Sequence, residues 1–296
     1  MKKTYFLNKS HSKAFSLIEL SIAVLVIGIL IAGVVQGSVM VKKLRLQIAR
    51  NLTTSSPVSG VKDLMLWYET SLESSFLSTE ATDNTQISLW KDNNPQSITK
   101  NNSTQSTLGS KPKFYENVFA GIPAVRFDGT DDYFSFDGTF LSKSNYTIFV
   151  VEQRRSAIDF NLLIGGTATG TSNAVLHLGY RYNTTMTQAH YSNDLDYTLI
   201  PAYSQPTPRF HTFQFSKISG KSYWLNGGVN ADKTEPTQTS ALNSYAGAQI
   251  AKYNDTNTYY NGDIAEIVIF VRDLKNEERQ AIEAYLSKKY NIAITG

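Results

Sequence analysis

From Leu17 to Met40 the chain runs 24 residues without a Lys or Arg, and a single carboxylate, Glu19, stands near the start of the run. A bilayer is crossed by a helix of about 20 apolar residues, so the run is long enough to span one. Glu19 does not belong in such a helix on its own. On insertion scales an acidic residue at mid-membrane costs roughly 2.5 to 3.5 kcal/mol, so it needs a cationic partner. The run supplies none, but cutting the Ala14–Phe15 bond would place a positive α-amine four residues from Glu19. Unit charges about 4 Å apart attract by roughly 4 kcal/mol at an effective dielectric of 20, enough to offset the insertion cost and select a register.

The stretch Lys13-Ala14-Phe15-Ser16-Leu17-Ile18-Glu19-Leu20 follows a leader with Lys2, Lys3 and Lys9. It resembles the N-terminus of type IV prepilins and of the pseudopilins of type II secretion. In that family a basic leader ending in Gly or Ala precedes Phe-Thr-Leu-Ile-Glu. Here Ala14 stands where Gly is usual and Ser16 where Thr is usual. The resemblance implies that a prepilin peptidase cuts after Ala14 on the cytoplasmic side and methylates the new amine of Phe15. Glu19 would then pair with that amine on a neighbouring pilin or pseudopilin subunit. It also implies a single-pass protein of the inner membrane with a periplasmic or extracellular head, carried to a surface filament on assembly. A secretory signal would also begin with lysines and an apolar run, but it requires a small-x-small cut afterwards. Val34-Val35-Gln36-Gly37-Ser38 matches that poorly, and a simple one-pass anchor leaves Glu19 unexplained.

The helix outlasts the membrane. Phe15 to Leu52 would be roughly 57 Å long at 1.5 Å per residue, against a hydrocarbon core of about 30 Å. Gly28 and Gly33 suit close helix contacts within the apolar half. Beyond it, Val41, Leu44, Ile48 and Leu52 recur at helical spacing and are expected to seat a globular head, with Lys42, Lys43, Arg45 and Arg50 on other faces. No Pro precedes Pro57, which predicts a straight helix. The chain therefore divides into a leader (1–14), a helix (15–52), a small-polar linker (53–60) and a head (61–296). The leader's four Lys favour the cytoplasm, while Lys42, Lys43, Arg45 and Arg50 pull the other way, so charge alone does not fix the orientation. Removing the leader takes the formal charge from +3 to −1, and the head's basic residues are not concentrated, which gives nucleic-acid binding no support. Cysteine is absent, which excludes thiol chemistry and cysteine metal sites.

From Val61 onward the sequence predicts many short strands. Leu64–Trp67, Ala124–Phe127, Tyr146–Val151, Ala174–Tyr180, Phe210–Phe215 and Ser222–Leu225 are β-branched or aromatic runs between Asn, Asp, Gly and Ser clusters. Asn226-Gly227-Gly228 is a hairpin signal, and the polar tract Asn101 to Thr107 predicts a surface loop. Ile264 to Val271, nearly continuous and apolar around Glu266, predicts a central strand. A helix should follow, capped by Asn276, with Glu277 and Glu278 at its start, Lys288 and Lys289 at its end, and a buried stripe of Ala281, Ile282, Tyr285 and Leu286.

This closing block, Gly262 to Phe270 through Tyr285 to Ile292, is similar to the end of concanavalin A-like, laminin-G-type jelly-roll domains. Leu64 to Tyr68, Trp90-Lys91-Asp92, Gly121 to Gly129 and Tyr223 to Gly227 agree in order along the head. The expected fold is mainly β: a long N-terminal transmembrane helix, then a concanavalin A-like jelly-roll β-sandwich with a C-terminal helix. Family members bind glycans, bind proteins or serve as structural modules.

Catalytic patterns are missing. Some enzymes of this jelly-roll fold use a Glu-x-Asp-x-x-Glu strand to set two carboxylates on one face, and that spacing does not occur in the chain. Glu266 reads as a structural carboxylate paired within the terminal block. His177, His190 and His211 lie on separate segments, without metal-site spacing. Asp128, Asp131 and Asp132 gather oxygen ligands that would suit calcium, though tight turns favour the same residues, and no other cofactor is implied. Tyr180, Tyr182, Tyr191 and Asn193 offer rings and an amide for a sugar. The reading is a non-enzymatic, minor pilin-like subunit with a lectin-like head for adhesion to glycan or protein. Its alternatives are a secretion pseudopilin with a structural or cargo-contacting head, and a membrane-tethered glycan hydrolase.

Overall fold

A computed structural model describes residues 16–167, 170–253 and 258–295. Helix α1 (Leu17–Thr54) is one uninterrupted element of 38 residues, as the absence of Pro before Pro57 requires. Contacts divide the chain into a unit ending at Leu44 and a compact head beginning at Arg45. Among the described residues, α1 is the helix long and apolar enough to cross a membrane.

The head runs through β1 (Leu64–Glu69), β2 (Thr85–Gln86), β3 (Leu89–Trp90), β4 (Ser103–Thr104), β5 (Lys113–Phe119), β6 (Ile122–Asp128), β7 (Phe134–Asp137) and β8 (Tyr146–Arg154). It continues with β9 (Asn161–Gly166), β10 (His177–Tyr182), β11 (Thr185–Ala189), β12 (Asp194–Tyr197), β13 (Arg209–Ser216), β14 (Gly220–Leu225) and β15 (Lys233–Glu235). Strands β16 (Gly247–Ile250) and β17 (Asn261–Phe270) precede helix α2 (Asn276–Tyr290). Two antiparallel sheets result. Sheet A has the order β15-β14-β13-β8-β17-β6-β5-β2, with β1 also paired to β17, and sheet B has the order β12-β11-β10-β9-β16-β7-β4-β3.

Strand β17 explains why its sequence is apolar at nearly every position. Ile264, Ile267 and Ile269 face the core between the sheets, while Ala265, Val268 and Phe270 face a second core on the outside of sheet A. Strand β8 does the same with Ile148 and Val150 on one side and Phe149 and Val151 on the other. The second core is closed by Ile282, Tyr285, Leu286 and Tyr290 of α2, and by Ala49 and Val58. Burying each such aliphatic side chain contributes about 1.5 to 3 kcal/mol.

Several local expectations need correction. Val41, Leu44 and Ile48 are exposed, and the helix instead seats on the head through Ala49 and Thr53, with Leu52 half-buried. Small residues let the helix approach closely, and the basic residues fasten it. Arg45 donates to the Ala120 carbonyl at 2.9 Å, and Arg50 donates to the Ser71 carbonyl and to Glu73. Within 53–60, Pro57–Gly60 winds a 3-10 turn and Val58 is buried, so the segment packs with the head. Ala281 is exposed, and the second helix buries Arg279, Glu283 and Lys289 beside its apolar residues. That helix begins at Asn276 with Lys275 before it, whose N–H is capped by the Glu278 carboxylate at 3.1 Å. The Asn101 to Thr107 tract is no loose loop: it contains β4, buries Ser103 and Gln105, and receives the Tyr68 hydroxyl on the Asn101 carbonyl. Side-chain amides tie it down, since Asn102 accepts from the Asp92 N–H at 2.9 Å. The Asn226-Gly227-Gly228 turn takes φ values of 56°, 72° and 133°, the left-handed conformations the hairpin signal anticipated.

Candidate functional site

Helix α1 begins at Leu17, and the Glu19 carboxylate accepts the Ser16 N–H at 2.9 Å, so it caps its own helix start. Glu19 is exposed. The cleavage residues Ala14 and Phe15 lie outside the described residues. Gly28 and Gly33 have open space where a Cβ would stand.

In the head, the outer face of sheet B carries the best-formed surface. The ring of Phe160, on the turn before β9, lies 6.2 Å from Tyr182 and 4.8 Å from Tyr253. Tyr253 lies 4.8 Å from His177, which lies 6.2 Å from Tyr191. These five rings form one row across the sheet. Local geometry puts them there. Gly165 on β9 leaves no room for a Cβ, which would strike the Lys252 and Tyr253 carbonyls, so that segment lies directly across the strand. Tyr191 and Ser192 adopt φ values of 58° and 71°, and the turn is held by the Asn193 amide donating to the Asn173 side chain. Tyr182 is 49% exposed, whereas Phe160, Tyr191 and Tyr253 are half-buried and His177 is buried.

Polar groups flank the row. Arg181 pairs with Asp194 and, at 2.9 Å, with Asp196 on β12. Among the described residues, His177 Nε2, Thr187 Oγ1 and one oxygen each of Asp194 and Asp196 are buried without a hydrogen-bond partner. Burial pushes the His177 imidazole down to about 4, so the ring is neutral. Such a surface offers ring faces to C–H groups and acceptors to hydroxyl donors.

The structure divides the four expected sugar-contact residues. Tyr182, Tyr191 and Asn193 reach this face. Tyr180 does not, because it follows Leu178 into the core by the strand's alternation, and it is the register shift after it that turns Tyr182 outward. Phe160, Tyr253 and His177, which complete the row, were not legible as partners because they come from a turn, a crossing segment and a strand far apart in the chain.

Asp128, Asp131 and Asp132 do come together, with ligand oxygens within 4.8 Å of one another. Burial and the neighbouring Asp128 carboxylate push the Asp132 carboxyl up to about 7. The three could hold a hard cation such as calcium. The turn is also self-satisfied, since Asp128 accepts the Thr130 and Asp131 N–H groups and Asp132 accepts the Asp128 N–H.

Three carboxylates inside the head, Glu69, Glu152 and Glu266, are taken up by hydrogen bonds. Glu266 accepts from Trp67 Nε1 at 2.7 Å, Tyr285, Tyr290 at 2.9 Å and Lys289 at 2.9 Å, the structural pairing expected of it. Lys289 also bonds Glu69 at 3.0 Å. Glu152 accepts from Tyr180 at 2.7 Å, His211 Nε2 at 2.9 Å and Tyr260. Burial works against the ionised Glu152, yet the His211 bond and the tyrosine hydroxyls hold its carboxyl below the usual range. His190 bonds the Tyr146 hydroxyl at 2.8 Å, so His190 and His211 fill separate structural roles.

Comparison with known proteins bears on both ends of the chain. Residues 9–35 match the prokaryotic N-terminal methylation motif. This prepilin motif supports a type IV pilin or pseudopilin, and with it processing by prepilin peptidase and assembly with other pilins. Motif and apolar helix together fit a membrane-anchored single-pass protein. No curated protein matches the chain. Among solved structures, a Trypanosoma rangeli sialidase in complex with sialic acid is similar over 87% of this chain and 39% of its own, at 13% identity and a TM-score of 0.54. Domain 4 of AbnA, a GH43 extracellular arabinanase from Geobacillus stearothermophilus, in complex with arabinotriose, is similar over 75% of this chain and 98% of its own, at 12% identity and a TM-score of 0.53. The chain thus spans about 39% of the sialidase, and likeness at this identity shows the fold alone.

Proposed function

We propose that the protein is a minor, non-enzymatic subunit of a type IV pilus-related filament, and that its head binds glycan through the outer face of sheet B. Cleavage after Ala14 frees the Phe15 amine for methylation and for pairing with Glu19 of a neighbouring subunit. The helix then enters the filament, and the lectin-like, jelly-roll head stands in the periplasm or at the cell surface. The observation that carries the binding reading is the row Tyr182–Phe160–Tyr253–His177–Tyr191, laid on a sheet face that no helix among the described residues covers. Its centroid steps of 4.8 to 6.2 Å suit successive sugar rings of a chain rather than one deep pocket. The non-enzymatic reading is supported by Glu69, Glu152 and Glu266, each of which is buried and spent on hydrogen bonds within the protein.

The test uses full-length protein in detergent micelles, a glycan array, and arabinotriose as a defined probe. Oligosaccharide binding by the wild type, weakened at least tenfold in Tyr191→Ala with Tyr253→Ala, supports the proposal. Equal binding by the variant, or none by the wild type, overturns the glycan reading. Glu19→Ala should leave membrane insertion intact and remove the protein from sheared filaments. Immunogold label on filament tips of intact cells supports adhesion, whereas label confined to permeabilised cells turns the assignment to a secretion pseudopilin.

A further inference from the structure

At one end of the sandwich, between the sheets, two guanidiniums meet a single carboxylate. Arg154 closes β8 and is 1% exposed, and Arg209 opens β13 and is 8% exposed. Both converge on Tyr180: the Arg154 guanidinium sits 4.2 Å from the ring centroid, and Arg209 donates to the hydroxyl at 3.3 Å. The Tyr180 hydroxyl is already committed to Glu152, whose other oxygen holds Tyr260. His211, between Glu152 and the Tyr223 hydroxyl, is kept neutral by burial. One carboxylate therefore faces two cations, a surplus positive charge that a protein interior does not hold cheaply without an anion.

The hydrogen-bond inventory agrees. Arg154 spends its two terminal nitrogens on the Asn183 and Pro201 carbonyls, both at 2.7 Å, which fixes its plane and leaves its Nε buried without a partner. Among the described residues the Arg209 guanidinium makes only the bond to Tyr180, so most of its fork is unspent. A planar oxyanion is the group that such a fork recognises in two-point fashion. The rim has sugar-like chemistry. Tyr203 lies 5.8 Å from Arg154, its N–H is tied to the Asn183 side chain at 2.9 Å, and Tyr182 is the exposed residue next to Asn183.

We propose that Arg154 and Arg209 form a carboxylate-binding site at this end of the sandwich, and that its ligand is the acidic unit of a uronate-containing glycan. Neither guanidinium belongs to the ring row, which shares only Tyr182 with this rim, so the site stands without the row.

The probes are sodium glucuronate, glucose and sodium acetate, added at matched ionic strength to full-length protein in detergent micelles, with thermal unfolding and calorimetry as readouts. Glucuronate should raise the melting temperature of the wild type while glucose leaves it unchanged, because the two sugars differ in the carboxylate. In Arg209→Gln, which removes the surplus charge, the glucuronate response should weaken at least tenfold with near-ultraviolet circular dichroism unchanged. Arg209→Lys keeps the charge without the fork and should retain an intermediate response. Acetate acting as strongly as glucuronate would keep the carboxylate site and overturn its assignment to a sugar. A glucuronate response equal to that of glucose, or equal in wild type and Arg209→Gln, would overturn the site itself.

Discussion

The two outer faces of the sandwich are built on opposite terms. Sheet A is covered: α2 and the end of α1 close over Trp67, Phe149, Val268 and Phe270, and the charges beneath them are paired. Sheet B is open, with Thr104, Ser135 and Asp137 exposed at one end and a row of rings at the other. On the covered face the buried carboxylates find partners inside the protein, Glu266 four times over, while among the described residues Arg279 Nε and Trp224 Nε1 are left without one. On the open face, polar atoms of His177, Thr187, Asp194 and Asp196 are left over. The covered face holds the end of the helix from Arg45 onward, and the face left unroofed is the one on which rings and unpaired polar atoms gather.

The strongest way to break this contrast is at Lys289. It is fully buried between Glu69 and Glu266, and the Coulomb field of Glu266 holds its amine well above the ordinary value against the pull of burial. Lys289→Met leaves two buried carboxylates without their cation, and should cost about 3 to 5 kcal/mol in chemical denaturation. Loss under 1 kcal/mol would mean that the tyrosine hydroxyls alone satisfy the pair.

How much of this could be read in advance follows the same division. Strand β17 was legible because burial on both faces writes a continuous apolar run, and Glu266 was legible as the exception inside it. Lys289 presents itself in the sequence as a dipole partner at a helix end, since nothing local announces that Glu69, on the first strand, stands within 3.0 Å of it. The open face was less legible still. Alternation along β10 would have put Tyr180 and Tyr182 on one side, and only the register shift between them separates a core residue from a surface one. Phe160 and Tyr253 carry no periodic signal, because turns and crossing segments have none.

His177 offers a second test, on the open side. Burial lowers its folded value to about 4, below the ordinary 6.5, so between those pH values the unfolded chain takes up a proton that the folded head refuses. Stability is fully present above about pH 6.5 and is lost as the pH falls toward 4, on the order of 3 kcal/mol. His177→Gln should flatten that acid limb in melting curves from pH 7 to pH 4. An unchanged limb would place the acid sensitivity elsewhere and leave the imidazole solvated.

The smallest effects concern the helix seat. Ala49 is 1% exposed against the head, whereas Ile48 is 57% exposed on the neighbouring face. Ala49→Leu must push the helix off the surface that Arg45 and Arg50 fasten, at a cost of about 1 to 2 kcal/mol for an overpacked site. Ile48→Ser should move stability by less than about 0.5 kcal/mol, since that side chain stands exposed. A hydrophobic period alone would rank them the other way, with Ile48 on the stripe and Ala49 off it. If Ile48→Ser proved the costlier of the two in unfolding of full-length protein, the seat would follow the apolar stripe. The covered face would then extend to a side of the helix that now stands free.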